Sequence, residues 1–395
     1  MIRGWPSYGL GLLLCAIAAW PSQGFAGEFT DFSGATLDFF QGAVISGNRV
    51  TGLGGAYVSI AEGPDGHLLN PAAFAIRSRP AANDWFDYDL TLTTDVLLGD
   101  ENDLDLSGLG HTGNQVEIVQ FGFNVKLGRL GLGLHGATRN QRLSKDQALS
   151  AWYGGVGVAW AWGQGAWAVG VLLATPQATV TTAPGHAQQE AQVVTAKYSG
   201  GFKIGTIGLR WSPIGERYRF GLSFRPSTHM TPQAGLGEIG LSLPSAGAQG
   251  AQLRIGASYR FGSLNPRATM GGGAPPSRRP SGASLVAAEL CITGGVDGGV
   301  GPWPYLTGRR MISGAETSVG VSLGAESEVL NNLLVLRMGL YFEPSRYPGT
   351  NGRLHWTSGA DVRVPTPTSL DLRLSTVIDV APDYGKIAFG VGIWN

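Results

Sequence analysis

The sequence predicts an all-β fold, a transmembrane outer-membrane β-barrel of about fourteen antiparallel strands with an N-terminal plug in its lumen. Three observations predict it. After about Asn83 the chain alternates apolar and polar residues over stretches of about ten residues or more. Those stretches are longer than the strands of a soluble sandwich and suit tilted membrane strands. Only 14% of the residues are charged, against about 25% in ordinary globular proteins. Finally, no segment beyond the N-terminus approaches the run of about eighteen apolar residues that a helical span requires.

The first element is MIRGWPSYGLGLLLCAIAAWPSQGFAGEF. Arg3 gives a basic n-region, Gly9 to Ala19 an apolar h-region, and Gly24-Phe25-Ala26 a small-x-small cleavage site. Residues 1–26 are therefore expected to be a secretory signal peptide, since the apolar run is too short to span about 30 Å of hydrocarbon. Removing it leaves Cys291 as the only cysteine, so the fold must hold without an internal disulfide. Thiol zinc sites are excluded for the same reason, and the six histidines have no ligand spacing, so no metal is expected.

Residues 27–83 alternate with neither the strand period nor the helix period. They are rich in glycine, carry one small apolar block, GGAYVSIA (54–61), and end in Asn70-Pro71-Ala72. Preceding the first strand and starting from the inner side, they are expected to fill the lumen as a hatch.

The barrel itself is expected over 84–395. Val119, Phe121, Phe123, Val125 and Leu127 share one face while Gln120, Gly122, Asn124 and Lys126 share the other. Tyr218, Phe220, Leu222 and Phe224 alternate with Arg219, Gly221, Ser223 and Arg225. Leu370, Leu372 and Leu374 oppose Asp371, Arg373 and Ser375, and the last strand sets Ile387, Phe389, Val391 and Ile393 against Lys386, Ala388, Gly390 and Gly392. The polar faces carry arginines and glycines, as a lumen does. Aromatics near strand ends (Trp85, Phe86, Trp152, Tyr153, Tyr259, Phe261, Trp394) suit interfacial girdles. Tight connections (128–129, 163–165, 213–216, 331–332, 365–368) alternate with long ones (99–115, 182–191, 232–249, 295–316, 345–353), the pattern of short periplasmic turns and long outer loops. One connection breaks it. Residues 263–283, which include NPRATMGGGAPPSRRPSG, are Gly/Pro/Arg-rich and read as a flexible segment.

Several function classes drop out. The net charge is zero, which argues against a nucleic-acid partner held by a basic surface. Two G-x-G-x-x-G matches, at 108–113 and 131–136, lack the strand-before, helix-after context of a dinucleotide site. No nucleophile with a neighbouring base is visible, so no enzyme and no cofactor are expected.

With a barrel in place, SGNRVTGLGGAYVSIAEGPDGHLLNPAAFA resembles the N-terminal hatch signature of the FadL/TodX family, outer-membrane transporters for long-chain fatty acids and hydrocarbons. The matching residues are Gly52, Gly54 and Gly55 of the GxGGA segment, then Asn70, Pro71 and Ala72 after an acidic spacer. The phrases 208–227, 243–261 and 337–364 fit as well, so the resemblance covers most of the chain. The spacer departs from the pattern by inserting Pro64 into Glu62-Gly63-Pro64-Asp65, and the terminal strand ends Trp394-Asn395 rather than on the aromatic. The resemblance implies a fourteen-stranded barrel in the cell outer membrane, passive passage of hydrophobic small molecules, and lateral release into lipid. It also implies a monomer inserted by the barrel-assembly machinery and in contact with outer-membrane lipid. A PorV-like branch shares the signature and implies instead a protein secretion or surface-attachment accessory. Gly131, Gly133 and Gly136 in one strand make that strand the candidate lateral gate, with Gly133 and Gly136 on opposite faces, because strand glycines mark bulges or close backbone approach.

Overall fold

A computed structural model describes residues 32, 34–40, 42–76, 85–98, 102–110, 116–144, 147–163, 166–182, 194–213, 217–233, 243–261, 284–330, 333–365 and 371–394. Residues 1–26, expected to be a signal peptide, and the connection 263–283 lie outside the described residues.

Within the N-terminal segment the chain forms a short strand β1 (Thr36–Asp38), a helical turn α1 (Asn48–Gly52) and two 3₁₀ turns, Pro64–Gly66 and Pro71–Phe74. The wall then runs β2 (Phe86–Leu97), β3 (Val116–Leu127), β4 (Leu130–Ser144), β5 (Gln147–Trp162) and β6 (Trp167–Thr182). Three wall positions are each made of two collinear pieces: β7 (Val194–Ser199) with β8 (Lys203–Trp211), β9 (Tyr218–Arg225) with β10 (Thr228–Pro232), and β11 (Ala246–Gln249) with β12 (Gln252–Phe261). After β13 (Ser284–Thr293), a loop carries β14 (Gly299–Val300) and the turn α2 (Pro302–Leu306). The wall resumes as β15 (Ser318–Leu330), β16 (Leu334–Glu343), β17 (Arg353–Pro365), β18 (Asp371–Ala381) and β19 (Tyr384–Trp394). The last strand pairs with the first, from Lys386–Leu97 to Trp394–Asp89, and closes a barrel of fourteen antiparallel strands.

Alternation in the sequence becomes two surfaces. Leu134, Val158, Phe220, Leu323 and Phe389 stand exposed on the outside, whereas Asp95, Asn124, Arg219, Thr357 and Lys386 are buried inside. An apolar exterior and a polar interior are what a membrane barrel requires. Near one rim, Trp162, Trp167, Trp211 and Phe220 stack in series with centroids 6.3, 5.6 and 5.3 Å apart. This belt suits the headgroup interface. That rim holds the tight connections and is called inner here; the opposite rim is outer.

Three expectations change. Tyr153, assigned above to a girdle, faces the lumen and lines a cavity, because it lies on the inward register of β5 with Ala151 and Gly155. The outer rim also holds two tight connections. β4 and β5 pair as far as Ser144–Gln147, and β18 and β19 as far as Ala381–Tyr384, where Asp383 adopts φ 54°; aspartate tolerates that left-handed geometry in a turn. Finally, the hatch does not stay on the inner side. β1 pairs in parallel with β11 and with β14, both outer-rim elements, and three residues are too few for a periodic signal.

Candidate functional site

The hatch is held by the wall at nearly every turn, and the wall is shaped to receive it. Lumen-facing glycines sit opposite one another across neighbouring strands: Gly133–Gly157, Gly170–Gly208, Gly221–Gly256 and Gly324–Gly339. Each pair leaves a bare patch of backbone, and a hatch residue fills it. Phe74 lies on the first pair, Asn70 and Pro71 on the second, Val58 on the third, and Leu53 with Gly54 on the fourth. A Cβ added at Gly157 would fall within the Phe74 ring, and one at Gly208 on the Asn70 amide. These glycines are there for close approach.

The residues of the hatch signature all lie within this docking layer. Gly52 packs against Arg337 and the Gly359 Cα, 3.5 Å from where its own Cβ would be. Gly54 has φ +60°, and a Cβ there would meet the Leu340 backbone at 3.0 Å. Gly55, at φ +82°, turns toward Val44 of the hatch itself. Asn70 is fully buried and caps the second 3₁₀ turn, its Oδ1 accepting from the Ala72 N–H at 3.0 Å. Its Nδ2 donates to the Val58 carbonyl at 2.7 Å and to the Leu209 carbonyl of the wall at 3.0 Å. Pro71 opens that turn and has no N–H to leave unsatisfied. Ala72 packs with Phe74, Ala159, Ala168 and Leu172.

Charge reinforces shape. The Arg49 guanidinium forks onto Glu326 of the wall at 2.8 and 2.9 Å and reaches Glu62 at 3.0 Å. Glu62 is also held by Arg219 and, at 3.5 Å, by Arg260. Burial pushes the Glu62 carboxyl up, but Arg219, Arg49 and Arg260 outweigh it and hold its pKa well below the usual range. Glu289 of β13 accepts the consecutive N–H groups of Tyr57 and Val58 at 2.9 and 2.8 Å. Asp65 meets Arg373 at 3.2 Å, and Pro64, the insertion in the spacer, starts a 3₁₀ turn against Gly122. Lys386 donates to the Val44 carbonyl at 2.9 Å while paired with Asp95. His355 is clasped between Glu343 and Asp379, each at 2.8 Å, as a brace across β16, β17 and β18.

On the outer side of the docked hatch lies a cavity of about 850 Å³, a volume that includes its solvent-open part. The hatch contributes Phe39, Ile45 and Leu68, the wall Leu149, Tyr153 and Met230, and the outer loop Pro302. Its polar lining includes Arg139 of β4 and Arg225 of β9. Mostly apolar walls with few polar groups are the usual form of a small-molecule site.

Beside this cavity the wall is interrupted. β8 and β9 pair only from Ile207–Phe224 to Trp211–Phe220, and β7 and β10 only at Ser199–Thr231 and Tyr198–Pro232. No ladder pair joins residues 200–206 to 225–230. A bond from Lys203 Nζ to the His229 carbonyl, 3.2 Å, crosses this seam. The Tyr153 hydroxyl over Gly205, together with Arg225 and Thr228, connects it to the cavity. By contrast β4, the candidate gate, is paired without break from Leu130 to Gln141 on both sides, so its glycines do not open the wall. Gly133 faces Phe74 inside, and Gly136 faces out beneath Phe121 and Trp152. Sequence reasoning missed the seam, although Gly200, Gly201 and Pro226 mark the breaks in its strands.

The sequence matches no protein-family model and no curated protein. In structure it is similar to a Pseudomonas aeruginosa FadL homologue, at 12% identity and TM-score 0.50 over 92% of this chain and 99% of that one. It is similar to the CymD monoaromatic hydrocarbon channel at 11% identity and TM-score 0.50, over 88% and 96% of the two chains. The Ralstonia pickettii toluene transporter TbuX follows at 14% and 0.50, over 90% and 99%. At such identities the likeness is one of fold: the chain is a closed fourteen-stranded barrel of the kind seen in FadL homologues and hydrocarbon channels.

Proposed function

We propose that the chain is a passive outer-membrane channel for hydrophobic small molecules, long-chain fatty acids or hydrocarbons, which enter from the outer rim and leave sideways into the membrane. The observation that carries this reading is the largely apolar cavity lying between a firmly docked hatch and a break in the strand pairing of the wall. A ligand there reaches the seam between β7/β8 and β9/β10 without displacing the hatch. The seam faces the lipid side, where Phe202, Ile204 and Phe224 are exposed. An apolar solute gains nothing by entering the periplasm, but gains about 25 cal/mol for each Å² it transfers from water to lipid. The toluene transporter and monoaromatic hydrocarbon channel among the structural neighbours agree with such cargo. The hatch signature serves here to hold the plug in place, and the barrel works as a monomer in outer-membrane lipid after insertion by the assembly machinery.

The test compares cells with and without the protein for uptake of labelled palmitate, labelled hexadecane and a labelled sugar. In a Cys291→Ser background, cysteines replacing Ile204 and Ser227 are then bridged across the seam by a short bis-maleimide. The expected outcome is uptake of one or both apolar probes but not the sugar, lost on bridging and intact in the unbridged pair. Protein-dependent uptake that survives bridging removes the seam as outlet. No protein-dependent uptake of either apolar probe removes the channel, leaving the accessory role.

A further inference from the structure

The histidines show no ligand spacing in the sequence, but the fold brings two of them together. His67 ends the first 3₁₀ turn of the hatch, and His135 stands on the inward register of β4, two residues after Gly133. Both are buried, and their ring centroids lie 6.0 Å apart with the planes at 78°. Pro64, at the start of the same turn, sits on Gly122, the β3 residue paired with His135, so the turn is fixed over this spot. Phe74 stacks on a face of the His67 ring at 4.0 Å. The lone pairs of an imidazole lie in the ring plane, so the stack orients the ring without using its nitrogens. Both nitrogens of His135 are buried without a hydrogen-bond partner among the described residues. So are both polar atoms of the Gln120 amide, on the inward face of β3 beside the Gly122–His135 pair. A buried polar atom with no partner is costly, and a bound ion or water is the usual remedy.

A metal lies about 2 Å from each imidazole nitrogen that binds it, and each nitrogen about 1 Å from its ring centre, so two imidazoles in line on one ion have centroids about 6 Å apart. Among the described residues no three histidine, cysteine, aspartate or glutamate side chains converge on a possible metal. Two imidazoles and an amide offer few donors and bring no negative charge, which disfavours a divalent ion in a buried place. Copper(I) is soft and monovalent, accepts two nitrogens in line, and carries half the charge to be desolvated. We propose that His67 and His135 form a two-coordinate copper(I) site, beside the Gln120 amide, that fastens the hatch to β4. Neither histidine lines the cavity described above, and the inference does not depend on what the channel carries.

The test uses the full chain in lipid nanodiscs, in a Cys291→Ser background so that the thiol takes no copper, with empty discs as blank. Copper(I) is supplied anaerobically with ascorbate and titrated against a chromogenic copper(I) chelator. His67→Leu, His135→Leu and His135→Met, the last keeping a soft donor, are compared with the parent, assembly being checked by heat-modifiable mobility. The expected result is one ion per chain with the X-ray absorption edge of two-coordinate copper(I). Each leucine variant should bind about tenfold or more weakly, and His135→Met should recover part of the loss. Hatch amides give a readout that a merely structural histidine would not move. With free copper(I) at about ten times its dissociation constant, those of Ala73, Ala75 and Ile76 should exchange about tenfold more slowly in the parent, and at unchanged rates in the leucine variants. No copper(I) held against the chelator, or binding untouched by both leucine substitutions, overturns the site. Zinc held by the same histidines as tightly as copper(I) overturns the two-coordinate assignment. The parent titration and absorption edge decide alone if a leucine variant fails to assemble. Uptake of apolar probes is measured separately, so failure here leaves the channel standing.

Discussion

Replacing Phe74 with alanine isolates what the hatch gains from the glycine-paved wall. The ring is fully buried, seated on Gly133 and Gly157 and stacked on His67 at 4.0 Å. Phe→Ala at such a site costs about 3–5 kcal/mol, because neighbouring backbone cannot collapse into the space. Backbone of a closed, paired wall is especially unable to move. The loss falls on hatch docking rather than on the barrel, whose ladder does not involve the ring. At about 1.4 kcal/mol per factor of ten, local opening of the hatch should become about a hundredfold to a few thousandfold more frequent. Hydrogen exchange reads this directly. Amides that lie in the hatch turns, those of Ala73, Ala75 and Ile76, should exchange faster by that factor, while those of β15 to β18 keep their rates. Rates within about threefold of the parent in the hatch would refute the idea that the paired glycines form its socket.

Gly54→Ala should loosen the hatch by more than about 1 kcal/mol, since φ +60° disfavours any side chain and the Leu340 backbone lies 3.0 Å from the new Cβ; raised protease cleavage within 48–62 would show it. Gly133→Val should free the hatch by displacing Phe74, whereas Gly136→Val, which points outward at Phe121 and Trp152, should leave hatch protection unchanged; equal effects would contradict the assignment of faces. Hatch docking should also depend on acid. Glu62 is held below its ordinary value of about 4.3, so its contribution is full above that pH and drains away as pH falls toward the lower folded value. Hatch exchange rates should therefore climb below about pH 4.5, and Glu62→Gln should be looser at neutral pH with a flatter acid response.

Much of the barrel was legible because membrane strands are long and each residue sits on one face or the other. The alternation of Tyr218 to Arg225 and the tight 128–129 turn lead directly to strand and connection. The hatch was legible from composition, since the glycine-dense stretch 47–75 fits neither period. What stayed hidden depends on register. Nothing in the order of residues says that Gly170 lies beside Gly208, or Gly221 beside Gly256, so the socket pattern appears only when strands pair. The inward turn of Tyr153 was missed because aromatics at a strand end suit either an interface or a pocket. β1 was missed because its three residues gain their structure from β11 and β14, more than 200 positions away. The glycines of β4 suggested a kink, yet the ladder is continuous, Gly131 and Gly133 making room for Phe74 while Gly136 faces outward. The real interruption, between 200–206 and 225–230, shows only in the pairing.

The measurement that bears most directly on a channel for hydrophobic molecules is a structure of the protein taken from its native membrane, with its lipid extract analysed alongside. The expected result is elongated non-protein density in the cavity between Leu68 and Pro302 and a matching hydrophobic molecule in the extract. A cavity holding only water, in a protein that carries no hydrophobic molecule and leaves palmitate and hexadecane uptake unchanged, would contradict it.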